Sequence, residues 1–159
     1  MSKPDVEVEV RAVAAMNGGY AVFLGNAEKV FVLSVDQGVG AAIAMFLQGV
    51  PKPRPLTHDL LANVLAALGA KVQRLLVTEC KRDTYFATLV LSAENELTEK
   101  KLIELDARPS DGIAMALQQS APLYVSQEVW EGVEDMTEAL RKLQERGLDP
   151  EGGPEQGGA

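Results

Sequence analysis

The chain has 159 residues, 47% of them apolar and 24% charged, with a formal net charge of −8. That length can bury roughly 70% of the unfolded surface around a core that needs no staples, and the composition excludes disorder as the main state. One cysteine, Cys80, excludes an internal disulfide and a cysteine-based zinc site, and one histidine, His58, excludes any catalytic scheme that requires two.

Two long uncharged stretches, Gln37 to Pro51 and Gly112 to Gln127, are interrupted by Gly, Gln or Pro. Neither offers the ~18 apolar residues of a membrane span. Met1 to Val10 carries Asp5, Glu7 and Glu9 and reads as neither a signal nor a transit peptide. A cytoplasmic location is therefore expected. The negative charge is uneven: Ser126 to Ala159 holds nine acids against three bases, which leaves −2 on the first 125 residues. Small basic groups lie there, namely Lys52 with Arg54, Lys71 with Arg74, Lys81 with Arg82, and Lys100 with Lys101. They read either as solvated surface charge or as a local patch for a polyanion.

Val6, Val8 and Val10 alternate with Glu7, Glu9 and Arg11, which is the period of a half-buried strand. Asn17-Gly18-Gly19 is turn chemistry; Tyr20 to Leu24 and Val30 to Val35 read as two further strands. Ala41 to Leu47 reads as a short apolar helix ended by Gly49 and Pro51. A second helix follows Pro55, with Thr57 as N-cap, Asp59 near its positive end and Leu60, Leu61, Val64, Leu65 and Leu68 as its apolar face, closed by Gly69. Val72 to Thr78 and Thr84 to Leu91 form a hairpin around Lys81-Arg82-Asp83, and Leu102 to Leu105 another strand. A third helix runs from about Ser110 to Gln119. An extended piece, Pro122 to Val125, and a charged helix, Thr137 to Gln144, complete a single domain over residues 1–146. Residues 147–159, rich in Gly, Pro and acids, read as a mobile tail.

Val35-Asp36 leads into Ala42-Ile43-Ala44-Met45 and Leu47, and seventy residues later Leu105-Asp106 leads into Gly112-Ile113-Ala114-Met115 and Leu117. The pattern suggests an internal repeat of hairpin, aspartate and helix, against the alternative of chance likeness between two Ala-rich helices. The expected fold is α+β: a mixed, mostly antiparallel sheet built from hairpins, with three main helices packed on it.

Two polar clusters stand at predicted helix starts. In Asp106-Ala107-Arg108-Pro109-Ser110-Asp111, proline suits a first helical turn, and two acids five residues apart flank the bend. They read as ligands for a divalent cation, or as Asp106 and Arg108 bracing a turn that Asp111 caps. Arg54-Pro55-Leu56-Thr57-His58-Asp59 has the same grammar. His58 reads as a general acid or base, as a metal ligand beside Asp59, or as a helix-start histidine bonded to a nearby loop. Gly38-Val39-Gly40 lacks the lysine of a nucleotide loop, and Cys80 reads as a half-buried strand thiol despite Lys81 and Arg82.

These two clusters, together with Ala121-Pro122-Leu123-Tyr124-Val125 and Glu128-Val129, resemble the bifunctional nuclease domain family over about Val6 to Val129. The resemblance implies an α+β domain that self-associates, and cleavage of DNA and RNA in some members. It places His58 and Asp59 in the first family motif and Asp106, Arg108, Ser110 and Asp111 in the second. The family usually carries an acid two positions before the alanine–isoleucine pair; here that position is Gly40. Gly112 replaces the usual alanine.

The first functional expectation is a phosphodiesterase acting on DNA or RNA with Mg²⁺ or Mn²⁺. Asp106, Asp111 and Asp59 would hold the metal, Arg54, Arg108 and Ser110 would bind phosphate, and His58 would move the proton. The alternative is a non-enzymatic homo-oligomeric binding or regulatory module whose Arg-Pro clusters are architectural. No membrane partner is expected.

Overall fold

The computed structural model describes residues 3–96 and 98–146, and two short paired segments, Leu148–Asp149 and Gly153–Pro154. Apart from those segments, the expected tail lies outside the described residues. In chain order the main elements are β1 (Val6–Met16), β2 (Gly19–Gly25), β3 (Val30–Asp36), α1 (Gln37–Gln48), α2 (Thr57–Ala67), β4 (Ala70–Lys81), β5 (Thr84–Asn95), β6 (Thr98–Ala107), α3 (Pro109–Gln118), β7 (Leu123–Val125), α4 (Gln127–Gly132) and α5 (Thr137–Glu145). The fold is α+β and mostly antiparallel, and the chain divides into two compact units. Among the described residues no helix is long and apolar enough to cross a membrane.

One unit is formed by Val8–Val50 and the residues after Gly132. Here β2 pairs antiparallel with both β1 and β3. Ala12, Ala14, Ala21, Phe23 and Val30 form a core cluster on which α5 seats buried Leu140, with Met136 and Leu143 beside it. Asp135 fixes the start of α5, its carboxylate accepting from the Val30 and Thr137 amides. Helix α1 begins four residues before the expected Ala41. Asp36 caps it by accepting from the Val39 amide at 2.9 Å, which overrides the weak helix propensity of Gly38 and Gly40. A Cβ at Gly40 would collide with the Tyr20 ring. The acid that the resemblance implies at this position has no room beside that ring.

The other unit runs up to Glu7 and from Pro51 to Gly132. Its strands lie in the order β7-β4-β5-β6, with β4 and β7 parallel and the other pairs antiparallel. The β4–β5 turn is the expected one: Arg82 and Asp83 both have positive φ, at 51° and 63°. Cys80, beside it, is exposed rather than half-buried. Ile113, Ala114, Met115 and Ala116 of α3 are buried. Any Cβ at Gly112 would strike Leu75, so the glycine is what lets α3 approach β4 closely. The amide side chain of Gln119 accepts from the Val72 N–H at 2.7 Å, where β4 bulges. Ser126 starts α4 by accepting from the Val129 amide, and buried Trp130 follows.

The expected inward face of α2 is corrected. Leu60, Leu61, Val64 and Leu68 are exposed, Leu60 at 57% and Leu68 at 69%. The inward positions are His58, Ala62 and Leu65, spaced i, i+4, i+7. Both stripes are rich in apolar residues, so hydrophobicity alone does not choose between them.

The repeat is visible as topology. Each unit runs through three antiparallel strands into a helix, β1-β2-β3-α1 and β4-β5-β6-α3. The two aspartates diverge, however: Asp36 caps its helix, whereas Asp106 lies within β6 and the helix after it begins at Pro109.

Candidate functional site

The two Arg-Pro clusters meet within the second unit. α2 and α3 pack against each other, and His58 Nε2 lies 3.1 Å from Asp111 Oδ1. Local sequence explains each approach. Pro109 occupies the first turn of α3, where its missing N–H costs nothing, and this sets Asp111 on the same turn. Thr57 is not the N-cap of α2; Leu56 takes that place, and Leu has no acceptor to offer. Asp59 closes the turn instead, its Oδ2 accepting from the Leu56 N–H at 2.8 Å. With that turn fixed, His58 faces inward at 8% exposure.

Asp111 bridges a buried imidazole and an exposed guanidinium. Its Oδ2 accepts from Arg108 Nε at 2.7 Å. Burial would raise this carboxyl, but the hydrogen bonds from Arg108 and His58, and the Arg108 charge, hold it below the usual carboxylate value. An ionised carboxylate only accepts, so the His58 Nε2–H is the donor in this pair. The result is a short series of guanidinium, carboxylate and imidazole running from solvent inward.

Asp59 does not join that series. It accepts from Lys52 Nζ at 3.2 Å, from Gln118 Nε2 at 3.4 Å and from the Leu56 amide. Burial pushes its carboxyl up, and these three donors together bring it below the ordinary value. Sequence reasoning missed Lys52 and Gln118 here. Lys52 was legible only as a surface base beside Arg54, and Gln118 carries no charge and no motif.

The remaining expected residues are distributed. Ser110 is buried in the first turn of α3, and Arg54 lies exposed in the segment before α2. Asp106 is exposed and pairs with Thr88, while its neighbour Ala107 pairs with buried Ala87. Alternation along the strand therefore turns Asp106 to the face opposite Ala107. No described contact joins Asp106 to Asp111. Among the described residues no three His, Cys, Asp or Glu side chains converge as a metal centre. Asp106 stands apart from Asp111, and Asp111 and Asp59 each accept from protein donors, so these three expected ligands do not form a metal set among the described residues.

Comparison with known proteins bears on this arrangement. The family model of the bifunctional nuclease domain matches residues 22–137, which include both clusters. An uncharacterised protein of Mycobacterium tuberculosis is 36% identical over 104 residues, covering 65% of this chain and 58% of its own length. Bifunctional nuclease 1 of Oryza sativa subsp. indica is 28% identical over 83 residues, 52% of this chain and 24% of the rice protein. Bifunctional nuclease 1 of Arabidopsis thaliana is 25% identical over 107 residues, 60% and 32% of the two chains. The chain thus spans little more than half of the mycobacterial relative and a third or less of the plant ones.

Proposed function

The chain belongs to the bifunctional nuclease domain family, and we propose that it hydrolyses phosphodiester bonds of DNA or RNA at the Arg108–Asp111–His58 series. The observation that carries this reading is the 3.1 Å approach of His58 to Asp111 beside an exposed arginine. Arg108 offers a fork of N–H groups to a phosphate and offsets charge gathering on its oxygens. Arg54 adds a second cation from the segment before α2, and Ser110 lies buried in the first turn of α3 between Arg108 and Asp111. Water attacks phosphorus, the P–O bond to the leaving nucleoside breaks, and His58 takes or returns the proton while Asp111 holds the ring. The names of the plant relatives support the substrate class. The proposed site of action is cytoplasmic.

The test uses rigorously purified protein and labelled single-stranded DNA and RNA, with Mg²⁺, with Mn²⁺ and with chelator. Cleavage by the wild type that Asp111→Asn and Arg108→Ala abolish supports the proposal. Cleavage that survives both substitutions rejects the assignment. The chelator arm decides the Mg²⁺ or Mn²⁺ requirement.

A second reading has its own observation. The apolar side chains exposed along α2 suit a homo-oligomeric binding or regulatory module. In that case the wild type leaves both substrates intact and self-associates.

A further inference from the structure

His58 and Asp59 are adjacent, yet they reach opposite ends of α3. His58 bonds Asp111 in its first turn, and Asp59 meets Gln118 at its last residue. Seven residues separate those two contacts, about 10 Å along a helix axis. The first turn of α2 is therefore tied to α3 at two points, which restrains both the crossing and the rotation of one helix on the other. Asp59 is the anchor of the second point. Its carboxylate takes the Leu56 amide from its own turn, Gln118 from α3 and Lys52 from the preceding segment. The Lys52 and Asp59 side chains are only 17% and 14% exposed, so this pair is screened far less than a surface salt bridge.

We infer that Lys52, Asp59 and Gln118 form a positioning clasp: they hold α2 against α3 so that His58 meets Asp111, and Asp59 serves neither as a base nor as a metal ligand. The inference rests on the proposed site for its catalytic meaning, but its geometric content stands apart from any activity. A carboxylate with three donors around it has little capacity left to bind substrate or metal. The same donors are what a helix-to-helix fastening requires. Gln118→Leu removes only the α3 end of the clasp, and Lys52→Met removes its cation. Both leave the His58, Asp111 and Arg108 side chains intact.

The test reads the single imidazole by NMR in the whole 159-residue chain. In the wild type the His58 Nε2 proton is protected from solvent exchange by Asp111. In Gln118→Leu and Lys52→Met that exchange accelerates on the order of tenfold, as expected for weakening one hydrogen bond, while the circular dichroism spectrum is kept. Lys52→Arg restores the slow exchange. If the wild type cleaves nucleic acid, kcat falls in Gln118→Leu by up to about a hundredfold with KM little changed, because a misplaced group affects the chemical step more than binding. Should Lys52→Met fail to fold, Gln118→Leu alone decides the matter, since it removes one 3.4 Å contact. Unchanged exchange in a folded Gln118→Leu protein overturns the clasp. Accelerated exchange in the variants, with a wild type that cleaves nothing, overturns the nuclease reading and leaves the clasp standing.

Discussion

His58 and Asp111 lie 53 positions apart in the chain, and their side chains meet at 3.1 Å. The contact joins two helix starts that the sequence shows only as separate Arg-Pro bends. It also decides which acid of the second bend belongs with the histidine, because Asp106 is carried into β6 while Asp111 is carried onto α3. Removing either partner strands the other. His58→Ala leaves a carboxylate short of a donor, and Asp111→Leu leaves a buried imidazole N–H without its acceptor. Each should lower stability by about 1–3 kcal/mol in urea unfolding. If the site cleaves nucleic acid, each should also reduce kcat by at least about a hundredfold, the usual scale of a lost general acid or base. Asp106→Asn should alter neither quantity. An Asp106→Asn protein as inactive as Asp111→Asn would mean that the strand-end acid takes part after all.

Gly112 gives a test of the helix–sheet contact behind the site. The family's usual alanine there would place a methyl group against Leu75. Gly112→Ala should therefore destabilise the protein by about 1–3 kcal/mol through overpacking, even though alanine is the better helix former. Leu75→Ala in the same chain should absorb most of that loss, so the two changes should be non-additive in a double-mutant cycle. Simple additivity would show that α3 moves away at no cost.

Much of this arrangement was legible in the sequence, and what was not has physical causes. Pro109 announces the start of α3, and Arg82-Asp83 the β4–β5 turn, because both depend on local backbone preference. The start of α1 was missed because Gly38 and Gly40 look like loop; only the Asp36 cap and the close fit to Tyr20 make a helix there. The orientation of α2 was missed for a different reason. Ala62 and Leu65 are no more apolar than Leu60 and Val64, and the choice falls to a polar contact with Asp111, 53 residues away. Gln118 was invisible because a neutral amide acquires a role only from the carboxylate it meets.

The outward face of α2 has a measurable consequence. Leu60, Leu61, Val64 and Leu68 form one exposed apolar stretch. Homo-oligomerisation through this face should give a concentration-dependent mass in sedimentation equilibrium. A Leu60→Lys, Val64→Lys double variant should shift the protein to monomer, and its unfolding midpoint should no longer rise with protein concentration. A mass equal to one chain at every concentration in the wild type would refute self-association by this route.

Acid stability should report the two carboxylates directly. Asp59 and Asp111 are both held below the ordinary carboxylate value, opposed by burial and carried by their donors. At acid pH the unfolded chain therefore binds more protons than the folded one, and stability rises with pH through that range. The contribution is fully present above roughly pH 5, fades as pH falls through the usual aspartate value of about 3.9 and is lost once pH has dropped through the lowered folded values. Asp59→Asn should flatten the acid limb of the unfolding midpoint plotted against pH. It should also lower the neutral plateau, because Lys52 then loses its counter-charge in a site largely closed to water. Lys52→Met should flatten the same limb less, since the Leu56 and Gln118 donors to Asp59 remain. Equal slopes in the wild type and Asp59→Asn would mean that Asp59 titrates alike in the folded and unfolded chains, which its three donors make untenable.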